Sequence, residues 1–310
     1  MTPATDCPLV GPEEQMTAGR YLARPIAPAA LWKGLTMCPT DRRSDLLAQL
    51  SEGISALTNS DEWVRHLDVQ SRFHRYSFGN AVLIAAQRPE ATRVAGFRAW
   101  LKLGRNVCKG EKAIWILAPM ATKKAAEGEP GEDRMIVGFK HVPVFDVSQT
   151  EGQALPAVCR QLSGAEPVMC FGQLTDAAGS LGYTVEPTEL SGGVNGDCSF
   201  ELRRLRVECR NTPAQQVKTL VHEIAHALLH HDHPDRRLAE LEAESTAYVV
   251  CHHLGLDSGS YTFGYVATWA GGGEEAVAGI KASGSRIQGA ALTILDLVGT
   301  DRAHEGSDAA

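Results

Sequence analysis

Apolar residues recur at intervals of three and four over long stretches of this chain, which is the spacing that an amphipathic helix requires. In the first third of the chain, the pattern predicts three helices that begin at caps on Ser44, Ser60 and Ser77. Farther along, it predicts two longer helices at about residues 213–230 and 237–254. Helices are therefore expected in both halves of the chain.

Short runs with a different pattern lie between these helices. Residues 113–118 are apolar and rich in β-forming side chains, and residues 136–147 alternate well enough to form a strand, with Pro143 at an edge or a bulge. A further helix is predicted at about 174–182 and a further strand at 200–208. The mixture predicts an α+β fold with two α+β domains in succession.

Composition divides the chain further. The first 40 residues are rich in Pro, Ala and Gly and lack a steady period, so we expect a poorly ordered leader. The predicted organisation is a leader at 1–40, an N-terminal α+β domain at 41–150, a linker at 151–168, a second α+β domain at 169–270 and a C-terminal tail at 271–310.

The sequence shows no membrane or export segment. No apolar run approaches the ~20 residues of a transmembrane helix, and the N-terminus lacks the basic and apolar regions of a secretory signal. The eight cysteines are dispersed without CxxC spacing, which argues against a zinc–cysteine site or a disulfide framework. We therefore predict a cytoplasmic protein without a membrane partner.

Charge is distributed unevenly along the chain. The formal net charge is −7, yet residues 63–124 contain twelve Lys or Arg and only three acidic residues. This segment is therefore +9, and the rest of the chain carries −16. Such an asymmetry indicates an anionic partner for the first half.

The most specific signal is the sequence His-Glu-Ile-Ala-His, in which His222 and His226 are the predicted metal ligands and Glu223 is the predicted general base. Thr212 is placed to cap the predicted helix, and Pro213 suits its first position. The two histidines then lie one turn apart on one face, where both imidazoles reach one ion at ~2.0 Å. The pattern predicts a zincin-type Zn²⁺ site.

A catalytic zinc site needs a third protein ligand, and the next predicted helix offers three glutamates. Glu240 and Glu244 share a face, whereas Glu242 points away from both, toward a more solvated set of side chains. Glu244 lies on an otherwise apolar face, where a buried carboxylate needs a cation. We therefore predict Glu244 as the third ligand, with Glu240 and His233 as alternatives.

These residues predict a gluzincin-like zinc metalloendopeptidase that acts on an unidentified protein substrate. Zinc lowers the pKa of a water molecule toward ~7, and Glu223 takes the proton as that water attacks a peptide carbonyl. The strand predicted at 200–208 comes just before the metal helix, and an extended substrate is expected to pair with it.

The basic segment interleaves cationic and aromatic side chains, as a groove for single-stranded DNA does. Its aromatic residues include Phe73, Phe97 and Trp100, and Tyr76 is the preferred platform for stacking a base. Trp100 and Phe97 are equally compatible with positions in the core. The candidate nucleic-acid-binding residues are Arg72, Arg75, Tyr76, Asn80, Arg98, Lys102, Arg105, Lys109 and Lys112.

The same segment resembles a known protein family. The resemblance is carried by residues 73–80 (FHRYSFGN), 87–89 (QRP), 94–97 (VAGF), 103–105 (LGR) and 109–111 (KGE). Over about residues 46–147, the chain is similar to the N-terminal domain of ArdC-type antirestriction proteins. The second half, with its HEIAH motif and Ala243-Glu244-Ser245, resembles the metallopeptidase-like domain of the same proteins and of the ImmA/IrrE group.

The resemblance covers roughly residues 46–269 and carries functional implications. It implies an N-terminal domain that binds single-stranded DNA, a zincin-like metallopeptidase domain, and an origin on a plasmid or another mobile element. The leader and the C-terminal tail lie outside it.

Two other functions fit the same sequence. One is an ImmA/IrrE-like regulatory peptidase that cleaves a repressor, with the basic half docking a protein. The other is a DNA-binding protein whose metal site is purely structural. Glu223 argues against the latter, because a structural site needs no general base.

Overall fold

The computed structural model describes residues 42–123, 134–155, 166–231, 235–256, 261, 263 and 273–299. These residues belong to one compact unit, Thr36–Ala310. Helices and strands are mixed along the chain, which confirms the predicted α+β class. The predicted leader and His233 lie outside the described residues.

Three helices open the described chain, as the apolar spacing predicts: α1 (Arg42–Ala56), α2 (Ser60–Arg72) and α3 (Phe78–Gln87). Ser77 caps α3, as expected. The cap of α2 is Asn59, whose side chain accepts from the Glu62 amide at 3.0 Å, so the prediction of Ser60 was wrong by one residue. Ser44 lies inside α1 and does not cap it. Asn and Ser are equally favourable at the N-cap position, so the pattern alone did not distinguish Asn59 from Ser60.

An antiparallel sheet follows, built from β1 (Val94–Ala95), β3 (Ile114–Lys123) and β4 (Arg134–Asp146) in the order β1-β4-β3. Both predicted strands of this region are present, and β3 is longer than its apolar run. A six-residue helix, α4 (Phe97–Lys102), and a two-stranded pair, β2 (Arg105–Val107) with β5 (Thr150–Gly152), complete the first half. The sequence pattern did not predict these short elements.

Helix α3 satisfies the backbone of the β3 edge with two side-chain amides. Asn80 bonds both the N–H and the C=O of Leu117 at 2.9 Å. Two turns later on the same helix, Gln87 bonds the N–H and the C=O of Trp115 at 2.8–2.9 Å. These bonds leave fewer unpaired groups at a strand edge, where exposed backbone invites pairing with another chain. Asn80 therefore has a structural role.

The second half begins with α5 (Glu166–Ser180) and a mixed sheet of β6 (Thr184–Thr188), β7 (Gly196–Ser199) and β8 (Arg204–Glu208). The strand order is β6-β8-β7, with β8 parallel to β6 and antiparallel to β7. The strand predicted at 200–208 thus starts only at 204, after a turn in which Arg203 adopts a φ of 48°. Both sides of β8 are occupied, so it cannot accept a substrate strand and that expectation is wrong. The edge position beside it belongs to β7.

Three long helices end the described chain: α6 (Pro213–Leu229), α7 (Arg236–His253) and α8 (Gly273–Val298). The first two match their predictions within two residues. Helix α8 occupies most of residues 271–310, for which the sequence predicts a C-terminal tail, and it packs against α1, α3, α5, α6 and α7. The intrinsic helix propensity of this segment is lowered by its glycines, among them Gly279, Gly284 and Gly289. The sequence pattern therefore did not predict this helix.

Among the described residues, every helix is too short or too polar to cross a lipid bilayer.

Close packing of α8 on α3 gives a test of the fold. A Cβ added at Gly284 would lie 2.2 Å from the Phe78 ring, whereas one added at Gly289 meets nothing within 4 Å. Gly284→Ala is expected to destabilise the protein by about 1–3 kcal/mol through overpacking. Gly289→Ala is expected to stabilise it by up to about 1 kcal/mol through helix propensity. Urea unfolding of both variants checks this, and a shift of the same sign in both would contradict the packing.

Candidate metal centre

Helix α6 presents the two histidines of the motif on one face, as predicted. Its start is fixed by Thr212, whose hydroxyl accepts from the Gln215 amide at 3.3 Å. The Gln215 side-chain amide donates to the Thr219 hydroxyl, one turn later, at 3.3 Å. One flank of the helix is anchored by fully buried Val221, Ile224 and Ala225. This anchoring leaves the histidine flank directed toward α7.

Three ligand atoms converge between α6 and α7. The Nε2 atoms of His222 and His226 are 3.0 Å apart, and Glu240 Oε2 lies 3.4 Å from the first and 3.8 Å from the second. Tetrahedral ligands at ~2.0–2.1 Å from one zinc ion are ~3.3 Å apart. The separations therefore need only small adjustments to hold a metal. The Glu240 side chain is 52 % exposed, so the group opens to solvent on that side.

Glu244, the predicted third ligand, lies on the other side of the His222 ring. Its Oε2 is 3.3 Å from His222 Nδ1, and its Oε1 is 3.0 Å from the Lys218 ammonium group. This carboxylate does have a cationic partner, as its apolar surroundings predict, but the cation is Lys218 of α6. The preferred and the alternative glutamate thus have different neighbours: Glu240 faces both Nε2 atoms, and Glu244 faces the opposite nitrogen of one ring.

Glu242 was expected on a solvated face, and that expectation is wrong. The residue has no exposed surface. Arg286 donates to both of its oxygens, Ser283 donates to Oε1 at 2.7 Å, and His230 Nε2 lies 3.3 Å from Oε2. Helix α8, which the sequence pattern did not predict, provides Arg286 and Ser283 and covers this face of α7.

Two groups of the motif have strongly shifted acidities. Burial opposes the charged form of His222, but hydrogen bonds to Glu240 and Glu244 outweigh it and raise its pKa to about 9. Burial raises the pKa of Glu223 to about 7; the His222 charge opposes this shift, whereas Glu240 and Asp197 reinforce it. A carboxylate with a pKa near neutrality suits a general base.

Strand β7 lies directly against the buried Glu223. A Cβ added at Gly196 would come within 2.8 Å of Glu223 Oε1 and 2.5 Å of Thr219 Cγ2. Glycine is therefore required there by the close approach of strand and helix. The approach places an edge strand beside the predicted general base.

The structure gives internal partners to several of the predicted nucleic-acid-binding residues. The Tyr76 hydroxyl donates to the Val94 carbonyl at 2.8 Å, and its ring packs against the core of the first half. Arg72 donates to the Ala91 carbonyl at 2.6 Å. Arg105 donates to both the hydroxyl and the carbonyl of Thr150 at 2.8 Å. Together with Asn80, these residues hold the fold together.

Other residues of that set reach the surface. Arg75 forms an ion pair with Asp296 of α8 at 3.2 Å. Arg98, Lys102, Lys109 and Lys112 are exposed. Trp100 is only 2 % exposed and donates to the Phe145 carbonyl at 2.9 Å, whereas its neighbour Phe97 is 49 % exposed. Helix α4 is thus fixed by Trp100 and presents Phe97 outward.

A family model for the N-terminal domain of the anti-restriction factor ArdC matches residues 42–145. The first half of the described chain is an ArdC-type N-terminal domain. This domain comprises α1 to α4 and the β1-β4-β3 sheet, and it confirms the resemblance found in the sequence for this half.

Larger parts of the chain, 71–76 % of its length, are similar to individual proteins. An uncharacterized protein of Bacillus anthracis is 26 % identical over 294 residues, which covers 76 % of this chain and 48 % of that protein. The chain therefore spans about half the length of this curated relative. Crystal structures of the antirestriction protein ArdC from plasmid R388 match with TM-scores of 0.46 (metal-free) and 0.44 (Mn(II)-bound), at 20 % and 18 % identity, each covering 71 % of this chain and 84 % of that one.

Several residues of the centre were not found from the sequence. Lys218 lies among apolar positions of α6, and because a buried lysine is almost always paired, the sequence did carry a signal for an anionic partner here. Arg286 gave no comparable signal, because its helix was itself missed. Gly196 lies in a sequence typical of a turn, and it forms a strand because it pairs with β8. The roles of Arg286 and Gly196 follow from tertiary contacts alone.

The pH dependence of the metal-free protein tests the geometry around His222. Its folded pKa of about 9 lies above the unfolded value of ~6.5, so its charge stabilises the fold below ~6.5 and this contribution is lost as the pH rises through 9. Between pH 7 and 9, the metal-free protein should lose stability, and Glu240→Gln should reduce that loss. Denaturation at a pH series with NMR titration of the histidines measures both. Titration of His222 below 6.5 would contradict the arrangement.

Proposed function

We propose that this chain is an antirestriction-type protein that binds single-stranded DNA through its ArdC-type domain and carries a zinc-dependent metallopeptidase centre. The observation that supports the catalytic part most is the convergence of His222 Nε2, His226 Nε2 and Glu240 Oε2 beside a buried Glu223. In this proposal the third metal ligand is Glu240, the alternative from the sequence, and not Glu244.

The donor set fits a divalent transition metal. Two imidazole nitrogens and one carboxylate oxygen are the ligands of many catalytic zinc sites, which leave a further position open. A divalent ion held there supplies Lewis-acid activation of water and of a carbonyl group. Zinc is the ion that we propose, and manganese is the alternative to be compared with it.

The proposed work of Glu223 is to move a proton. Its carboxylate takes a proton from the attacking water and returns it to the nitrogen of the leaving amine. Burial against Gly196 keeps bulk water away from this carboxylate, and in the metal-free protein that burial raises its pKa. Among the described residues, β7 lies at an edge of its sheet beside Glu223, and we propose that an extended peptide pairs with this edge.

The role of the two glutamates is tested by zinc affinity. Glu244→Ala removes a partner of His222 and should weaken zinc binding about 10–100-fold. Glu240→Ala removes a ligand and should cost more. Competition with a chromophoric chelator measures both, with Glu274→Ala, an exposed acid of α8, as the matched control. A larger loss for Glu244→Ala than for Glu240→Ala would return Glu244 to the ligand position.

Catalysis is tested with Glu223→Gln, which preserves size and removes the base. The variant should bind zinc like the wild type and cleave fluorescent casein about 10²–10⁴-fold more slowly. Equal cleavage rates would contradict the role of Glu223. A wild-type protein that binds zinc and cleaves nothing would favour the alternative of a structural metal.

For DNA, we propose the surface of α4 in place of Tyr76. Phe97, Leu101 and Leu103 are 49, 46 and 41 % exposed, and they alternate with exposed Arg98 and Lys102. Exposed aromatic and cationic side chains together are the means by which proteins bind single strands without sequence preference. The buried Trp100 makes this a fixed surface, so Phe97 is available to stack on a base.

A dT30 oligonucleotide tests this surface by fluorescence anisotropy. Phe97→Ala should lower the affinity about 5–150-fold, corresponding to the ~1–3 kcal/mol of one stacked base. Tyr76→Phe, which removes only the bond to Val94, should leave the affinity unchanged. Arg98→Ala and Lys102→Ala should each reduce the slope of log K against log salt by about 0.7. An affinity that does not change with salt would contradict DNA binding through this surface.

A further inference from the structure

The second ring nitrogen of His226 has a specific partner. Its Nε2 faces the other ligand atoms, and its Nδ1 lies 2.9 Å from Nδ1 of His230, one turn later on α6. His230 is buried, with 6 % of its surface exposed. The two rings meet edge to face with centroids 4.9 Å apart. His230 therefore does more than cap the end of α6, because its ring nitrogen contacts the predicted metal ligand His226.

The contacts continue from His230 to α8. Its other nitrogen, Nε2, lies 3.3 Å from Glu242 Oε2. Glu242 is held in turn by Arg286, through Nε at 2.9 and 3.1 Å from its two oxygens, and by the Ser283 hydroxyl. The side chains therefore form one connected path from α8, through α7, to a ligand atom on α6.

The hydrogen atoms of this path have only one consistent arrangement when the metal is bound. A histidine that ligates through Nε2 carries its proton on Nδ1, so His226 donates to Nδ1 of His230. His230 then carries its own proton on Nε2 and donates it to the Glu242 carboxylate. Each ring is neutral, every donor has an acceptor, and no proton has to be added or removed.

We propose that His230 is a positioning residue for the metal ligand His226, fixed by Glu242 and by Ser283 and Arg286 of α8. This inference rests on the proposed metal centre and extends it. Partners of this kind fix the orientation and the tautomer of a ligating imidazole and increase its basicity. Because the path ends on α8, the metal affinity depends on a helix that contributes no ligand.

The neighbouring acidic and basic groups support this assignment. His222 has Glu244, bound to Lys218, at its Nδ1, so both ligand histidines have a partner at the nitrogen that faces away from the ligand group. The two partners differ, because one is an ionised carboxylate and the other a neutral imidazole that leads to a carboxylate. The second path continues through Glu242 of α7 to Ser283 and Arg286 of α8.

Two substitutions of His230 in the full chain test the proposal. His230→Leu removes the acceptor and should weaken zinc binding about 10–100-fold. In His230→Asn, the side-chain oxygen takes the place of Nδ1 and accepts the same bond, so the affinity should remain within about threefold of the wild type. The control is His231→Leu, which alters an exposed ring beside Phe200 and should leave zinc affinity unchanged.

The outcomes separate this inference from the proposed function. Zinc bound equally by the wild type and by His230→Leu overturns the positioning role alone, as does an Asn variant as weak as the Leu variant. A wild-type chain that takes up no zinc overturns the metal centre and the inference with it. A loss confined to His230→Leu supports the inference, since a merely structural role would not be rescued by Asn.

A measurement on the unaltered protein covers the case in which the variants fail to fold. In the zinc-loaded wild type, nitrogen-15 NMR should show His226 protonated at Nδ1 only and His230 at Nε2 only. A His230 protonated at Nδ1, or at both nitrogens, would overturn the proposed direction of the bonds.

Discussion

The Glu242 carboxylate has no exposed surface, and its burial as an anion is tolerated because the Arg286 guanidinium binds both of its oxygens. Burial alone would raise the pKa of this carboxyl, but hydrogen bonds from His230, Arg286 and Ser283 lower it to about 2. Removal of one partner of such a pair would leave an uncompensated buried charge, at a cost of roughly 3–5 kcal/mol. Helix α8 is thereby tied to the middle of α7.

The orientation of α7 follows from that attachment. Residues two positions away on a helix are turned by about 200°, so a Glu242 that faces α8 directs Glu240 and Glu244 toward α6. Glu240 then reaches the Nε2 atoms of the two histidines, and Glu244 reaches Lys218. The geometry of the candidate metal centre therefore depends on a charge pair that lies outside it.

The ArdC-type domain is joined to the same helices. The Trp63 indole donates to the Ser245 hydroxyl of α7 at 3.0 Å in a buried contact, and Gln288 of α8 donates to the His74 carbonyl at 2.9 Å. Gly284 of α8 lies so close to the Phe78 ring that no larger residue fits there without a shift. The domain proposed to bind DNA and the proposed metal centre are therefore packed on the same pair of helices.

Sequence reasoning was reliable where local patterns decide the outcome. The apolar spacing predicted α6 and α7, Thr212 and Ser77 were found as caps, and the histidine motif placed two imidazoles on one face. It was less reliable where a distant element decides: α8 reverses the environment assigned to Glu242, and β7 occupies the strand edge assigned to a substrate on β8. Tyr76 and Asn80 carry polar groups that suit DNA equally well, and only the tertiary fold shows Val94 and Leu117 as their partners.

We propose that His222, His226 and Glu240 form one metal site, with Glu244 and His230 at the outer nitrogens of the two rings. Anomalous X-ray diffraction at the zinc edge, from crystals of the zinc-loaded protein, tests this most directly. We expect one anomalous peak about 2.0–2.2 Å from both Nε2 atoms and from a Glu240 oxygen. A peak bound to Glu244, or no peak between α6 and α7, would contradict it.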